Sequence, residues 1–158
     1  MTTEKTDHSP SVFNRKAHFD YIILESFETG LVLAGTEVKS IRAGKANLQD
    51  SFARIENGEL WMYHMHISPY DQGNRYNMDP IRKRKLLLHR KEIDKLDYKL
   101  REKGFTLVPL KLYFTRGMAK VQLGIAKGKN AKDKRDSLKK KESDRDIDRA
   151  LVIHQRRF

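Results

Sequence analysis

At Ala126 the chain changes kind. Before it, apolar and polar residues alternate as in a strand. After it runs Lys127-Gly128-Lys129-Asn130-Ala131-Lys132-Asp133-Lys134-Arg135, the start of a charged segment that ends at Phe158. Lys127 to Lys141 holds seven Lys, one Arg and two Asp, a net +6, with Leu138 as the one sizeable apolar residue. Such a stretch buries too little apolar surface to offset the entropy of ordering it. Any core must therefore come from the residues before it, and the tail is expected to be disordered when free. A large acidic partner would order it, and nucleic acid is the partner that suits it best.

The rest of the composition agrees. The 158 residues carry 33 Lys plus Arg against 21 Asp plus Glu, a formal net charge of +12, and 38% are hydrophobic. One modest core is expected over residues 14–129, flanked by a disordered N-terminus at 1–13 and the basic tail at 130–158. With no cysteine, disulfides, thiolate catalysis and cysteine-ligated zinc are excluded. No run approaches the roughly 18 apolar residues of a spanning helix, and Met1 to Pro10 leads into none. A soluble cytoplasmic protein is expected.

Within the body, Phe19 to Leu24 and Leu31 to Leu33 are apolar and β-rich, and read as two strands joined at Gly30. Val38 and Ile41 lie at i, i+3 between Thr36, a candidate cap, and Gly44, a stop, which predicts a short helix. Asn57-Gly58 between Ser51–Glu56 and Glu59–Ile67 predicts a tight hairpin, because both residues tolerate positive φ. From Ser68 to Pro80 the apolar period vanishes and a long surface loop is expected. A short strand over Arg82 to Leu88 follows. Ile93, Leu96 and Leu100, stopped by Gly104, predict an amphipathic helix. Val108, Leu110, Leu112 and Phe114 alternate, as do Ala119, Val121, Leu123 and Ile125 beyond Arg116-Gly117, predicting a hairpin buried on one face. Pro109 cannot donate to a ladder and implies an edge or a bulge.

The fold class that follows is mainly β with short helices: a small antiparallel β-barrel, oligonucleotide-binding-like, with the disordered basic tail appended. Strand count alone also allows a sandwich. In the tail, Ile147, Ala150, Leu151 and His154 recur at helical spacing, so the segment can become helical once bound.

Signals for catalysis are weak. Gly30 to Gly35 has the spacing of a phosphate loop, but Thr36-Glu37 follows where Lys-Ser or Lys-Thr is needed. His64 and His66 share a strand face, yet a metal needs further ligands; they read as partly exposed strand histidines beside core Tyr63 and Met65. Asp144, Asp146 and Asp148 imitate the start of a calcium loop without its Gly or closing Glu. No catalytic constellation, metal site or cofactor site is expected.

Basic patches carry the remaining chemistry. Arg82-Lys83-Arg84-Lys85 is either a phosphate-facing strand or a solubilising edge. Lys39, Arg42 and Lys45 share one helix face, as RNA contacts or as a solvated surface. Tyr70 and Tyr76, flanking Gly73-Asn74-Arg75, either stack on unpaired bases or anchor their loop.

A series of motifs resembles a known family. Gly35-Thr36-Glu37-Val38-Lys39-Ser40-Ile41-Arg42, then Asn47-Leu48-Gln49-Asp50-Ser51-Phe52, is similar to the opening signature of the SsrA-binding protein (small protein B) family. Gly73-Asn74, Asp79-Pro80, Arg82, Arg84-Lys85-Leu86-Leu87-Leu88, Val108-Pro109-Leu110, Gly124-Ile125-Ala126-Lys127-Gly128-Lys129 and Asp133-Lys134-Arg135 continue it in order, from about Asn14 to Arg135.

The resemblance implies a non-enzymatic RNA-binding protein, without cofactors and monomeric when free, that partners transfer-messenger RNA in trans-translation. Its barrel would dock on the tRNA-like domain in place of an anticodon arm. Its tail would enter the vacant messenger channel of a stalled ribosome, near the 16S rRNA decoding centre, and fold there as a helix. It further implies RNA contacts at Glu28, Leu87 and His89, and phosphate neutralisation by Lys120, Lys127 and Lys129 at the basic end of the last strand, with Gly128 among them allowing close backbone approach. Lys132, Asp133, Lys134 and Arg135 would form the ribosome-binding start of the tail, with Asp133 capping its helix. Lys132 departs from the family's usual His or aromatic, which weakens or moves the stacking expected there. The rival readings are a general ribosome-associated RNA chaperone and a His-dependent nuclease.

Overall fold

Six strands return on themselves because their apolar residues, spaced two apart, need a common interior. The computed structural model describes residues 9–73, 77–102 and 104–156. The elements run β1 (Val12–Phe13), α1 (Arg15–Asp20), β2 (Tyr21–Leu31), α2 (Gly35–Arg42), β3 (Ala46–Asn47), β4 (Phe52–Glu56), β5 (Glu59–Tyr63) and β6 (His66–Ile67). They continue with β7 (Arg84–Leu87), α3 (Arg90–Leu100), β8 (Phe105–Thr115), β9 (Met118–Gly128) and α4 (Ala131–Arg156). All pairings are antiparallel, in the order β1-β8-β4-β5-β7-β2-β9, and β8 also pairs with β9, so β8-β4-β5-β7-β2-β9 closes into a ring. β3 and β6 form a separate small pair. This is the mainly β, ring-like architecture with short helices that the sequence predicts.

Inside the ring, Leu60, Met62, Leu86, Leu107, Leu112, Val121 and Leu123 are buried, closed from the ends by Ile41, Leu48 and Leu96. A second, smaller cluster of Ala17, Val108, Leu110 and Ala126 lies under α1. The split has a local cause. The β8–β9 register shifts between Pro109 and Lys111, the bulge that a donor-less proline implies. One extra residue reverses the inward parity. Leu112 and Phe114 join Leu107 in the main core while Val108 and Leu110 face α1, so the single shared face read from alternation is corrected.

Turn chemistry is where the sequence speaks most directly. Asn57 (φ 50°) and Gly58 (φ 74°) link β4 to β5, and Arg116 (φ 52°) with Gly117 (φ 75°) links β8 to β9; positive φ at both central residues matches the right-handed twist of the strands. Gly30 is no turn. It lies within the eleven-residue β2, paired with Lys120 on one side and Leu87 on the other, and a Cβ there would stand 3.2 Å from Leu87 Cβ. The N-terminal expectation also shortens, since Val12 and Phe13 pair with Leu112 and Lys111; residues 1–8 lie outside the described residues. Thr36 is not the cap of α2 either: Ala34 is, and its N–H donates to Glu37 Oε1 at 2.9 Å.

The polar centre of the body is an ion cluster that strand periodicity does not predict. Arg84 has no exposed surface and Glu37 is 4% exposed. Arg84 Nε donates to Glu37 Oε2 at 2.5 Å, while its two terminal nitrogens donate to the carbonyls of Met65 (2.5 Å), Arg82 (3.1 Å) and Pro80 (3.1 Å). Arg82 closes on the same carboxylate. Its neighbours are paired too, Lys83 with Glu56 at 3.4 Å and Lys85 with Glu59 at 3.3 Å. The four-cation run is thus neither a free phosphate ladder nor a bare edge: β7 is interior to the sheet, between β5 and β2.

The tail is helical from Ala131 to Arg156, the form that the spacing of Ile147, Ala150, Leu151 and His154 allows it. A reciprocal cap starts it: Asp133 N–H donates to Asn130 Oδ1 at 2.9 Å and Asn130 N–H to Asp133 Oδ2 at 3.4 Å. Beyond are good helix formers without Gly or Pro. Yet every side chain from Leu138 to His154 is exposed, so no packing supports those turns and the helix there rests on local terms alone.

Two outcomes follow from the ion cluster. Truncating Glu37→Ala strands two guanidinium groups, one of them buried, and is expected to cost about 3–5 kcal/mol in urea unfolding; a loss below about 1 kcal/mol contradicts the role assigned to it. Burial opposes ionisation of Glu37, but hydrogen bonds from Arg82, the Ala34 N–H and Arg84 outweigh it and leave its pKa below 4.5. A carboxylate depressed in the folded state contributes stability above its unfolded pKa and loses it as pH falls through the folded one. Stability is therefore expected to drop on acidification below about 4.5, and the drop should be smaller in Glu37→Gln; an equal drop in both proteins would remove Glu37 as its source.

Candidate nucleic-acid interface

The strand pair β2–β9 organises the expected RNA contacts into two groups, one at each end. The register runs from Gly30 opposite Lys120 to Tyr21 opposite Gly128, so at about 3.3 Å per residue the groups stand about 30 Å apart.

At the first end, Glu28, Leu87, His89 and Lys120 line one open cleft of about 740 Å³ together with Phe114 and Met118. Each is set by its element. Leu87 is 52% exposed beside the buried Leu86, as strand alternation requires, so it faces the surface and not the core. Gly30, having no Cβ, lets Leu87 lie against β2. His89 is the N-cap of α3 and is exposed, its carbonyl accepting from the N–H groups of Glu92 and Ile93. Lys120 stands opposite Tyr113 across β8–β9, with its Nζ 4.0 Å from Glu28 Oε1.

Tyr113 completes this group and is not legible in the sequence. Its hydroxyl donates to Glu28 Oε2, 85 residues away; an outward aromatic in an alternating strand gives no hint of such a partner. Burial, then the hydrogen bond and charge of Glu28, push its pKa up to about 12. The carboxylate is thereby held between a neutral phenol and an ammonium, with acceptor capacity still open to solvent. Such a site suits donors on a base edge or a ribose hydroxyl, whereas a run of phosphates would meet Glu28 and Glu92 as like charges.

At the second end the expected residues are partly engaged within the protein. Lys127 is exposed. Gly128 is exposed and nothing lies within 4 Å of where a Cβ would be, so the fold itself does not require glycine there. Lys129 is a clamp: its N–H donates to the Asp20 carbonyl at 2.9 Å, and its Nζ donates to the His18 carbonyl at 3.0 Å and Ser137 Oγ at 2.8 Å. Lys134 approaches Asp20 at 3.6 Å and Phe19 at 6.0 Å. These contacts seat the first two turns of α4 on α1. Lys132 and Arg135 are exposed there, and Asp133 serves in the cap, with Asn130 as the capping residue.

The other candidates are accounted for by internal contacts. Lys39 lies over Tyr70 at 5.5 Å, Arg42 over Phe114 at 4.6 Å, and Lys45 pairs with Asp71 at 3.5 Å. The Tyr70 backbone is closed by Asn77 through two hydrogen bonds of 2.9 Å, which anchors the loop; Asn74, Arg75 and Tyr76 lie outside the described residues. His64 has φ 60° and sits between β5 and β6, so it and His66 do not share a strand face. Among the described residues, no group of three or more His, Asp or Glu side chains is gathered that would hold a metal, and no helix is long and apolar enough to cross a membrane.

The coupling of Tyr113 to Glu28 is open to alkaline titration. Ultraviolet absorbance of the folded protein should contain, besides the Tyr63 phenol that Glu56 also raises, a late phenol with a pKa of about 12, lost in Tyr113→Phe and moved lower in Glu28→Gln; a titration unchanged by both substitutions would contradict the pairing.

Comparison with known proteins places this geometry. The SmpB protein family model matches residues 11–153. The SsrA-binding protein of Anoxybacillus flavithermus is 61% identical over 143 residues, spanning 90% of this chain and 93% of that protein. That of Bacillus subtilis strain 168 is 60% identical over 145 residues (92% and 93%), and that of Carboxydothermus hydrogenoformans 63% over 138 (87% and 93%). Among solved structures, a chain from "tmRNA-SmpB: a journey to the center of the bacterial ribosome" superimposes with a TM-score of 0.68 at 52% identity, covering 82% of this chain and 94% of that one. A match that begins at β1 and runs deep into α4 leaves one conclusion: the chain belongs to the SmpB protein family.

Proposed function

We propose that this protein binds transfer-messenger RNA and delivers it to stalled ribosomes in trans-translation. The ring docks on the tRNA-like domain in the position of an anticodon arm, and the basic tail senses the vacant A site and messenger channel beside the 16S rRNA decoding centre. It works by binding alone, without a cofactor, in the cytoplasm. The observation that carries the reading is the convergence of Glu28, Leu87, His89 and Lys120 from three separate parts of the chain into one cleft, in a protein whose relatives are SsrA-binding proteins. Preformed shape and a few polar groups are what recognition of a folded RNA requires.

In this reading Glu28 accepts hydrogen bonds from the RNA, Leu87 and His89 pack on it, and Lys120 and Lys127 neutralise phosphate. Gly128 leaves the backbone open to the RNA. Lys129 sets the angle at which α4 leaves the ring, besides any phosphate it meets. Lys132, Asp133, Lys134 and Arg135 meet the ribosome, with Asp133 contributing through the cap and the cations through rRNA phosphate. The turns beyond Leu138 gain their support inside the channel.

Ending the chain after Lys129 should leave binding of the tRNA-like fragment within about twofold of the full protein and abolish tagging on stalled ribosomes; equal loss of both activities would defeat the division of labour. Glu28→Ala is expected to weaken that fragment's binding about tenfold or more, since a hydrogen bond to a charged group contributes about 1.5–3 kcal/mol. In competition at fixed salt, an excess of ordinary tRNA should displace little of the fragment. Indifference between the two RNAs would favour a general RNA chaperone instead.

A further inference from the structure

The outward faces of β4 and β5, with Lys83 just before β7 and Lys85 within it, form a grid that joins β7 two residues before the cleft's Leu87. Cross-strand register places Phe52 opposite Tyr63, and Arg54 opposite Trp61, which is itself opposite Lys85. These residues therefore share one face of the sheet, with Lys83 two positions before Lys85. The Phe52 and Tyr63 rings are stacked, with centroids 5.4 Å apart and planes 9° apart. The Arg54 guanidinium lies 5.6 Å from the Phe52 centroid and 5.8 Å from Tyr63, and the Lys83 ammonium 4.4 Å from Trp61 and 6.0 Å from Tyr63. In the ring, β4 and β5 stand across from β2 and β9, on the other side from Glu28, Lys120 and the start of the tail, although Lys85 lies two residues before Leu87 on the same face of β7.

Aromatic rings set two residues apart on a strand, each with a cation resting on it, have the elements of a platform for unpaired bases. The rings offer π faces, which stack on any base, and the cations can swing aside to meet the backbone phosphates. We propose that this face is a second RNA-binding surface, taking two or three unpaired nucleotides with bases stacked on Trp61 and the Tyr63–Phe52 pair and phosphates met by Arg54, Lys83 and Lys85. Charge argues for RNA over a protein partner. Lys83 and Lys85 are paired with Glu56 and Glu59 in exposed ion pairs, which are weak enough to exchange for phosphate. Arg54 gives the face a third cation against these two carboxylates, and the chain as a whole carries +12. The surface reads no sequence, since stacking is indifferent to base identity.

Trp61 is the one tryptophan of the chain, so it reports on this face directly. Hexaadenylate titrated into the full-length protein at about 0.1 M salt should quench its emission saturably and shift the Trp61 indole N–H resonance, while a short RNA duplex should do neither. The pair Arg54→Glu and Lys83→Glu, both at exposed positions, should weaken that quenching about tenfold with an unchanged unfolding midpoint. If anisotropy shows the labelled hexamer bound while Trp61 emission and its indole resonance stay still, the RNA sits elsewhere on this basic chain and the proposal fails. A response to an acidic peptide but not to the hexamer would make the face a protein-docking surface and overturn it as well. The indole resonance of the unaltered protein decides the matter even if the double variant does not fold.

Discussion

The carboxylate of Glu37, closed on by Arg82 and Arg84, is the contact that ties α2 to β7 and to the loop before it. Arg84 belongs to β7, Glu37 to α2, and the carbonyls that Arg84 also holds, those of Met65 and Pro80, lie just before β6 and at the end of the long loop that follows it. A buried guanidinium is tolerated only with its donors matched, so one side chain fixes a helix, a strand and the loop between β6 and β7 relative to one another. Ile41 on the inner face of α2 then seals the core. The stretch from Arg84 to His89 delivers Leu87 and His89 to the cleft, and its position depends on the same cluster.

Proline chemistry does comparable work at the other side of the ring. The bulge at Pro109 splits the inward residues of β8 between two cores, and the second core is what seats α1 against the ring. α1 in turn receives Lys129 and Lys134, fixing where the tail helix begins. Buried ions position the cleft and a bulge positions the tail. The long strands β2 and β9 keep the two apart.

Much of this is legible in the amino-acid sequence itself. The turns at Asn57-Gly58 and Arg116-Gly117, the helix carried by Ile93, Leu96 and Leu100, the bulge at Pro109 and the antiparallel strands follow from local rules on φ, missing donors and period, although the helix ends at Leu100, before Gly104. What local rules miss is long-range. Gly30 reads as a turn because glycine signals either positive φ or close approach, and only the partner strand says which. The four cations before Leu86 read as a surface because their carboxylates, Glu37, Glu56 and Glu59, are distant in sequence, and alternation by itself predicts no buried arginine. Tyr113 is silent for the same reason. For the tail, composition identifies a segment with no core of its own, while the cap made by Asn130 and Asp133, a three-residue signal, shows where its helix starts.

In the proposed function, a ring with its own core carries a tail whose turns beyond Leu138 gain support on the ribosome. Amide hydrogen exchange of the full-length protein, free and bound with transfer-messenger RNA on a stalled ribosome, measures it directly. Strong protection in β2, β8 and β9 in both states, with amides beyond Leu138 exchanging freely in solution and protected only on the ribosome, is the expected result. Protection of those tail amides in the free protein, or a tail that stays unprotected on the ribosome while tagging proceeds, would contradict it.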